Sequence, residues 1–408
     1  MLFGNAVIGQ SGGPTAAINA SLAGVIRGLF EAGCIGKIYG MRNGVEGLLQ
    51  KRLIDLREAI KGEEDLLLLS HTPAAALGSC RKKLPEVESN DVVYKKLFSI
   101  FEEYGIRYFF YIGGNDSMDT VAKVSAYAEK VGYEMRVIGV PKTIDNDVVG
   151  TDHTPGYGSS AKFIATSMQE ILRDCAVYTV PAVTVVEIMG RDAGWLTAAS
   201  ALPRLYANVA PDYVYLPERP FDFERLYEDI AEAFKRHPNV VIGVSEGIRF
   251  ADGSYVGKAA HSGVRDVFGH SYLSGTGRVV ERAIKDKFGC KTRTVELSIL
   301  QRCASHIASE TDLKEAQMVG RSAVEHAIAG ETGKMMAFER VSDSPYEVKV
   351  ISNDIKIIAN RMRKVPDEFI AISGNNVTDE CLRYIEPLIL GEPKLEFVGG
   401  IPRHFSFI

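Results

Sequence analysis

Apolar and polar positions along this chain follow two rhythms. Short runs of Val, Ile, Tyr and Phe stop at Gly, Pro or Glu, and stretches with apolar residues at helical spacing lie between them. Residues 6–8 read as a buried strand that runs into a turn over 10–15. Residues 16–31 then read as a helix, with Ile18, Leu22, Val25, Ile26 and Leu29 on one face. The pairing returns as a strand over 108–112, ending at Gly113-Gly114, and a helix around 120–130. A strand over 137–140 is stopped by Pro141, and a helix over 159–172 follows. Further on come a strand over 183–189, a short helix over 194–200, a helix over 223–236 and a strand over 240–245 that ends at Glu246. Beyond Arg340, residues 347–351 read as a strand and 354–363 as a helix. The polar stretches 79–91 and 252–274 are the best loop candidates, and no internal repeat or low-complexity segment is evident.

Strand, short loop, helix, repeated, is the pattern of α/β proteins with parallel sheets. Such sheets bind ligands at the carboxyl ends of their strands. The chemically rich residues of this chain gather there, at Gly12-Gly13, 113–117, 141–147, 189–191 and Glu246. Several separate loops with one kind of chemistry suggest one site assembled by the fold.

Composition narrows the class. A chain of 408 residues with 46% hydrophobic and 24% charged positions is ordinary for a globular protein and long enough for two or three folding units. A formal charge of −5 argues against a nucleic-acid partner gripped by overall charge, but leaves room for a local basic pocket. The six cysteines are scattered with no C-x-x-C pair, which fits reduced thiols in a cytoplasmic protein. No basic stretch followed by an apolar run opens the sequence, and the longest aliphatic cluster, 66–69, is far too short for a bilayer. No membrane partner is expected. The eight histidines form no His-x-x-x-His pair, which disfavours a metal hydrolase.

Three loops carry the chemistry. Ser11-Gly12-Gly13-Pro14-Thr15 places glycines before a helix N-terminus, where backbone can approach an anion. It is no P-loop, because no Gly-Lys-Ser/Thr follows. Gly113-Gly114-Asn115-Asp116-Ser117 repeats the arrangement with side chains able to meet a phosphate or a metal. In Pro141-Lys142-Thr143-Ile144-Asp145-Asn146-Asp147, a lysine, a hydroxyl, an amide and two carboxylates crowd one short segment after a buried strand. A turn built for hydrogen bonding explains the Asp and Asn but not the lysine beside them.

Together these loops resemble the phosphofructokinase family. So do Leu77-Gly78-Ser79-Cys80-Arg81, Met189-Gly190-Arg191, Glu246-Gly247 and Gln301-Arg302, in family order from the N-terminus to about residue 340. The resemblance implies two three-layer α/β/α lobes with largely parallel sheets and the site in the cleft between them. It implies phosphoryl transfer to the 1-hydroxyl of fructose 6-phosphate with Mg2+. Asp145 resembles the family's base, with Thr143 on the transferring group or the sugar and Asp147 orienting the site or helping to hold Mg2+. Gly12, Gly13, Arg81 and Ser117 fall on the donor side, and Asn115 at the metal. Met189, Gly190 and Glu246 fall on the sugar, Arg191 beside it, and Arg293, Gln301 and Arg302 at the 6-phosphate.

Two positions bear on the donor. Asp116 and Lys142 stand where ATP-dependent members usually have Gly, so the chain resembles the pyrophosphate-dependent branch. A carboxylate at 116 fills the room a nucleotide's α-phosphate would need and repels it. At about 4 Å that repulsion is roughly 4 kcal/mol at an effective dielectric constant of about 20. Lys142 is a point charge suited to a small symmetrical anion. The two side chains could also simply pair with each other.

Three positions depart from the family pattern: Asn115 for an Asp, Ile299 for a His or Tyr, and no Arg over 175–184. The expected domains are a donor lobe over 1–150 joined by part of the C-terminal segment, a sugar-phosphate lobe over 151–310, and closing elements over 311–408. A homo-oligomer, most simply a homodimer, is expected from the same resemblance.

Overall fold

Two sheets organise the chain in the computed structural model, which describes residues 2–88, 91–207, 209–257, 275–358 and 361–407. The first half builds β1 (Gly4–Gln10), α1 (Ile18–Glu31), β2 (Ile35–Met41), α2 (Gly44–Leu49), β3 (Leu53–Asp55), α3 (Leu56–Ala59), α4 (Glu63–His71), α5 (Val92–Glu103), β4 (Ile106–Gly113), α6 (Asn115–Val131) and β5 (Arg136–Pro141). A second set follows with α7 (Tyr157–Cys175), β6 (Ala182–Ile188), α8 (Trp195–Ala199), β7 (Tyr213–Tyr215), α9 (Phe223–Phe234), β8 (Asn239–Ser245), α10 (Thr276–Phe288) and β9 (Lys291–Glu296). The chain closes with α11 (Glu310–Ile328), β10 (Lys334–Asp343), β11 (Tyr346–Asp354) and α12 (Asp379–Ile385).

The first sheet has the order β11-β10-β5-β4-β1-β2-β3. Its inner strands are parallel, and β3 and β11 add antiparallel edges. The second sheet, β7-β8-β6-β9, is wholly parallel. Parallel strands are covered on both faces, so each reads as a continuous apolar run. Apolar side chains of α1, α4 and α11 fill one face of the first sheet and those of α2, α5 and α6 the other. The second sheet is sandwiched between α7, α8 and α12 on one side and α9 and α10 on the other. The chain is thus α/β with two three-layer units.

Helices α1 and α11 cross at glycines. A Cβ on Gly24 would lie 2.1 Å from the Gln317 carbonyl oxygen, and one on Gly320 2.2 Å from that of Ser21. That contact seats α11, and the β10–β11 hairpin after it joins the first sheet through β5.

Most elements start and stop within a few residues of their sequence reading. Two differ more. The helix expected around 120–130 begins at Asn115, so the Gly-Gly-Asn-Asp motif is itself the helix start. The polar first turn hides this in the apolar pattern. The helix expected over 354–363 is only a 3-10 turn, Ile355–Ile357, in its described part. The backbone N–H groups of Arg363 and Val365 bond instead to the Asp147 carbonyl and the Glu218 carboxylate, and Pro366 follows. The loop expected over 79–91 carries no helix or strand in its described part, whereas in that expected over 252–274 Tyr255 bridges Arg249 and 256–257 have 3-10 geometry; residues 89–90 and 258–274 lie outside the described residues. All six cysteines are free. No helix among the described residues is long and apolar enough to cross a membrane.

Candidate active site

Strands β1 and β4 lie side by side in the first sheet, and their chains lead away in opposite directions. Such a switch point opens a crevice at the carboxyl ends. The loop after β1, the start of α6 after β4 and the segment after β5 line that crevice. The loops after β6 and β8 face it from the second sheet. Between them is a cavity of about 420 Å3.

The loop after β1 is held from behind. Its Ser11 and Gly12 N–H groups donate to the carbonyls of Ile112 and Cys80, at 2.9 and 3.2 Å. Thr15 Oγ1 takes the N–H groups of Ala17 and Ile18, at 3.2 and 2.9 Å. The amides expected to greet an anion are therefore already engaged at these four positions. Gly12 has φ +78°, a conformation that favours glycine. A Cβ there would also come 3.4 Å from Lys142 Nζ.

Lys142 is 2% exposed. Its ammonium donates to the Ser11 and Gly13 carbonyls, at 2.9 and 2.6 Å. Two of three N–H bonds thus brace the loop and one remains. Burial pushes its pKa down to about 7; Asp145 opposes this, while Arg302 and Arg81 add to it. Asp116 does not pair with Lys142. Its carboxylate lies 3.7 Å from Lys83 Nζ, in the first turn of α6.

Burial also raises the carboxyl pKa of Asp145, against the pull of Arg191 and Lys142. The Asp145 N–H donates to Thr143 Oγ1 at 3.1 Å, which fixes the turn. Asp147 is pushed up to about 7, by burial and then by Asp145. Its carboxylate accepts from Asn115 Nδ2 at 3.1 Å. Asn115 Oδ1 is buried with no hydrogen-bond partner. A buried oxygen left open beside an undercompensated carboxylate fits a hard cation, because Mg2+ takes one or two protein oxygens and completes its shell with water and phosphate. No group of three or more His, Cys, Asp or Glu among the described residues is arranged to hold a metal by itself.

From the second sheet come Met189, Arg191 and Glu246. Glu246 is pushed up to about 8 by burial and by Asp145, and its Oε1 accepts the Gly190 N–H at 3.3 Å. Arg191 Nε is buried without a partner. Gln301 Oε1 takes the Met189 N–H at 3.1 Å, so it braces that loop and does not line the cavity. Gly190 likewise stands behind the wall. Arg302 lines the cavity, with Nη1 3.5 Å from where a Gly13 Cβ would be, close against the β1 loop.

Of the residues singled out from the sequence, Gly12, Gly13, Arg81, Asn115, Asp116, Ser117, Lys142, Thr143, Asp145, Asp147, Met189, Arg191, Glu246 and Arg302 line this one cavity. Arg293 does not. It sits on β9 in a separate recess with Glu170 and Thr184, 3.6 Å from Asp174, so its expected place at the 6-phosphate is not met within its own chain. Two charged lining residues were missed, Asp192 and Arg361. Asp192 directly follows Met189-Gly190-Arg191, and reading one position further finds it. Arg361 lies in no motif, and nothing local signals it.

The fold and site define a class. A sequence model of the phosphofructokinase family matches residues 5–327, and the chain belongs to that family. Among its relatives, the pyrophosphate–fructose 6-phosphate 1-phosphotransferase of Halomonas elongata is 43% identical, covering 98% of this chain and 95% of the relative. The protein of the same name from Methylococcus capsulatus is 42% identical over the same shares. The crystal structure of pyrophosphate-dependent phosphofructokinase from Nitrosospira multiformis superposes with a TM-score of 0.88 at 38% identity, covering 98% of this chain and 95% of that one.

Proposed function

We propose that this protein reversibly transfers a phosphoryl group from pyrophosphate to the 1-hydroxyl of fructose 6-phosphate, giving phosphate and fructose 1,6-bisphosphate. The observation that carries the reading is the convergence of Asp145, Lys142 and Asp116 with Arg191 and Arg302 on one cavity between the lobes. The names of the relatives support it.

Each residue's role follows from its surroundings. Asp145 takes the proton of the sugar 1-hydroxyl as that oxygen attacks phosphorus. The remaining N–H of Lys142 meets the transferring group or the leaving phosphate, and protein cations hold the oxyanions in line, since this chemistry is mostly positioning and charge stabilisation. Glu246 accepts from sugar hydroxyls. Asn115 Oδ1 and Asp147 would hold Mg2+. Bound there, Mg2+ would neutralise phosphate charge. Asp116 excludes the α-phosphate of a nucleotide. We place the protein in the cytoplasm and read it as a homo-oligomer, most simply a homodimer, in which Arg293 serves the 6-phosphate in a second copy's cleft.

The test is bisphosphate formation from fructose 6-phosphate and Mg2+, run in parallel with pyrophosphate and with ATP. Turnover with pyrophosphate alone is expected. The double variant Asp116→Gly, Lys142→Gly should lose most of it. Turnover of the wild type with ATP alone would keep the fold and base but remove the donor assignment.

A further inference from the structure

The matched family region ends at residue 327, yet the C-terminal segment returns to the catalytic cavity. Residues 361–365 form a strap between the lobes. The Arg363 N–H donates to the Asp147 carbonyl at 2.7 Å. Its guanidinium lies 4.4 Å over the Trp195 ring, donates to the Tyr384 hydroxyl at 3.2 Å and bonds the Asp152 carbonyl. The Val365 N–H donates to Glu218 Oε1 at 3.0 Å, and the same oxygen takes the Gly194 N–H at 2.8 Å. The strap is therefore tied to the catalytic segment at one end and to the second lobe at the other.

Arg361 sits two residues before the Asp147 tie and lines the cavity. Among the described residues its guanidinium makes no hydrogen bond or ion pair, whereas that of Arg363 bonds the Asp152 carbonyl and the Tyr384 hydroxyl. The cavity is also short of positive charge for a phosphate site. Five acidic side chains line it, against four basic ones other than Arg361. Two phosphate substrates must enter that balance. Asp147, the anchor of the strap, bonds Asn115 beside Asp116, so the strap enters on the donor side. A guanidinium with its donors unspent suits a phosphate oxyanion there.

We infer that Arg361 is a further binding residue for pyrophosphate, a cation that the C-terminal segment supplies to the donor side of the cavity. The inference rests on the reaction proposed above. An arginine at a cleft mouth can also be merely solvated, and the two cases separate by experiment. In Arg361→Ala, KM for pyrophosphate should rise roughly ten- to a hundredfold, the range for a lost hydrogen bond to a charged group. KM for fructose 6-phosphate should stay nearly unchanged. Arg361→Lys should recover part of the loss, because it keeps the charge but not the planar fork. A readout independent of turnover is the rise in melting temperature on adding Mg-pyrophosphate, which should shrink in the alanine variant while the ligand-free melting temperature holds. Wild-type turnover with an unchanged variant would overturn the role of Arg361 and leave the reaction standing. A rise confined to KM for fructose 6-phosphate would overturn the donor-side assignment. A wild type neither turned over nor stabilised by pyrophosphate would overturn both.

Discussion

Asp145 sits where burial disfavours its charged form, and Arg191 and Lys142 oppose that without cancelling it, so its pKa stays raised. That balance suits a base that must gain a proton during transfer and lose it afterwards. Replacing it with Asn keeps the shape and removes the basicity. Turnover should fall by about two to four orders of magnitude, while fructose 6-phosphate still raises the melting temperature. Unchanged turnover would remove Asp145 as the base. Lys142 shows a different lesson. Its place beside the acids is plain in the sequence, but its main partners are carbonyls 129 and 131 positions earlier in the chain. The possible Asp116–Lys142 pair is decided against by these carbonyls, which take the ammonium, and by Lys83, which takes the carboxylate.

Among the elements, the β10–β11 hairpin and α11 are joined to the catalytic half by one buried charge network. His153 is 2% exposed, with Nδ1 2.8 Å from Asp152 and Nε2 2.7 Å from Glu315, and its ring stacks on Phe338 of β10. Arg340 of β10 reaches Asp152 at 3.1 Å, and the Tyr346 hydroxyl of β11 donates to Glu315 at 2.8 Å. Burial opposes the charge on His153, but Glu315 and Asp152 outweigh it and push its pKa up to about 9. The folded value thus lies above the unfolded one, near 6.5. The stabilisation is fully present below about pH 6.5 and is lost as pH rises through about 9. Its size is on the order of 3 kcal/mol. Urea unfolding at pH 6.5 and pH 9 should show that loss in the wild type and a flatter response in His153→Gln. Equal pH dependence in both would assign the loss to other groups. Little of this network is visible in the apolar pattern, because His153 meets Glu315 across 162 positions and Asp152 meets Arg340 across 188.

For the molecule as a whole, the second copy is the open term. Arg293 stays out of its own chain's cavity and half-exposed beside Asp174. The expected outcome is an oligomeric mass by analytical ultracentrifugation and, in Arg293→Ala, a raised KM for fructose 6-phosphate with the mass unchanged. A fully active monomer, or an unaltered KM, would remove that role.

Strand and helix identity was legible because it depends on apolar periodicity within a few residues, as in β1, α1 and β5. The main site motifs were legible for a related reason. Glycine turns, the Lys142–Asp147 segment and Arg191 carry chemistry in short contiguous stretches at strand ends, and a parallel sheet brings strand ends together. Contacts between distant segments had no such signal. The strap over 361–365 has a local pattern that reads as helix, and it departs from that pattern because Asp147 and Glu218 claim its N–H groups. Arg361 enters the cavity for the same reason. Whether a backbone donor is spent within its own turn or on a partner 147 or more positions away is settled by packing, which no local stretch of sequence contains.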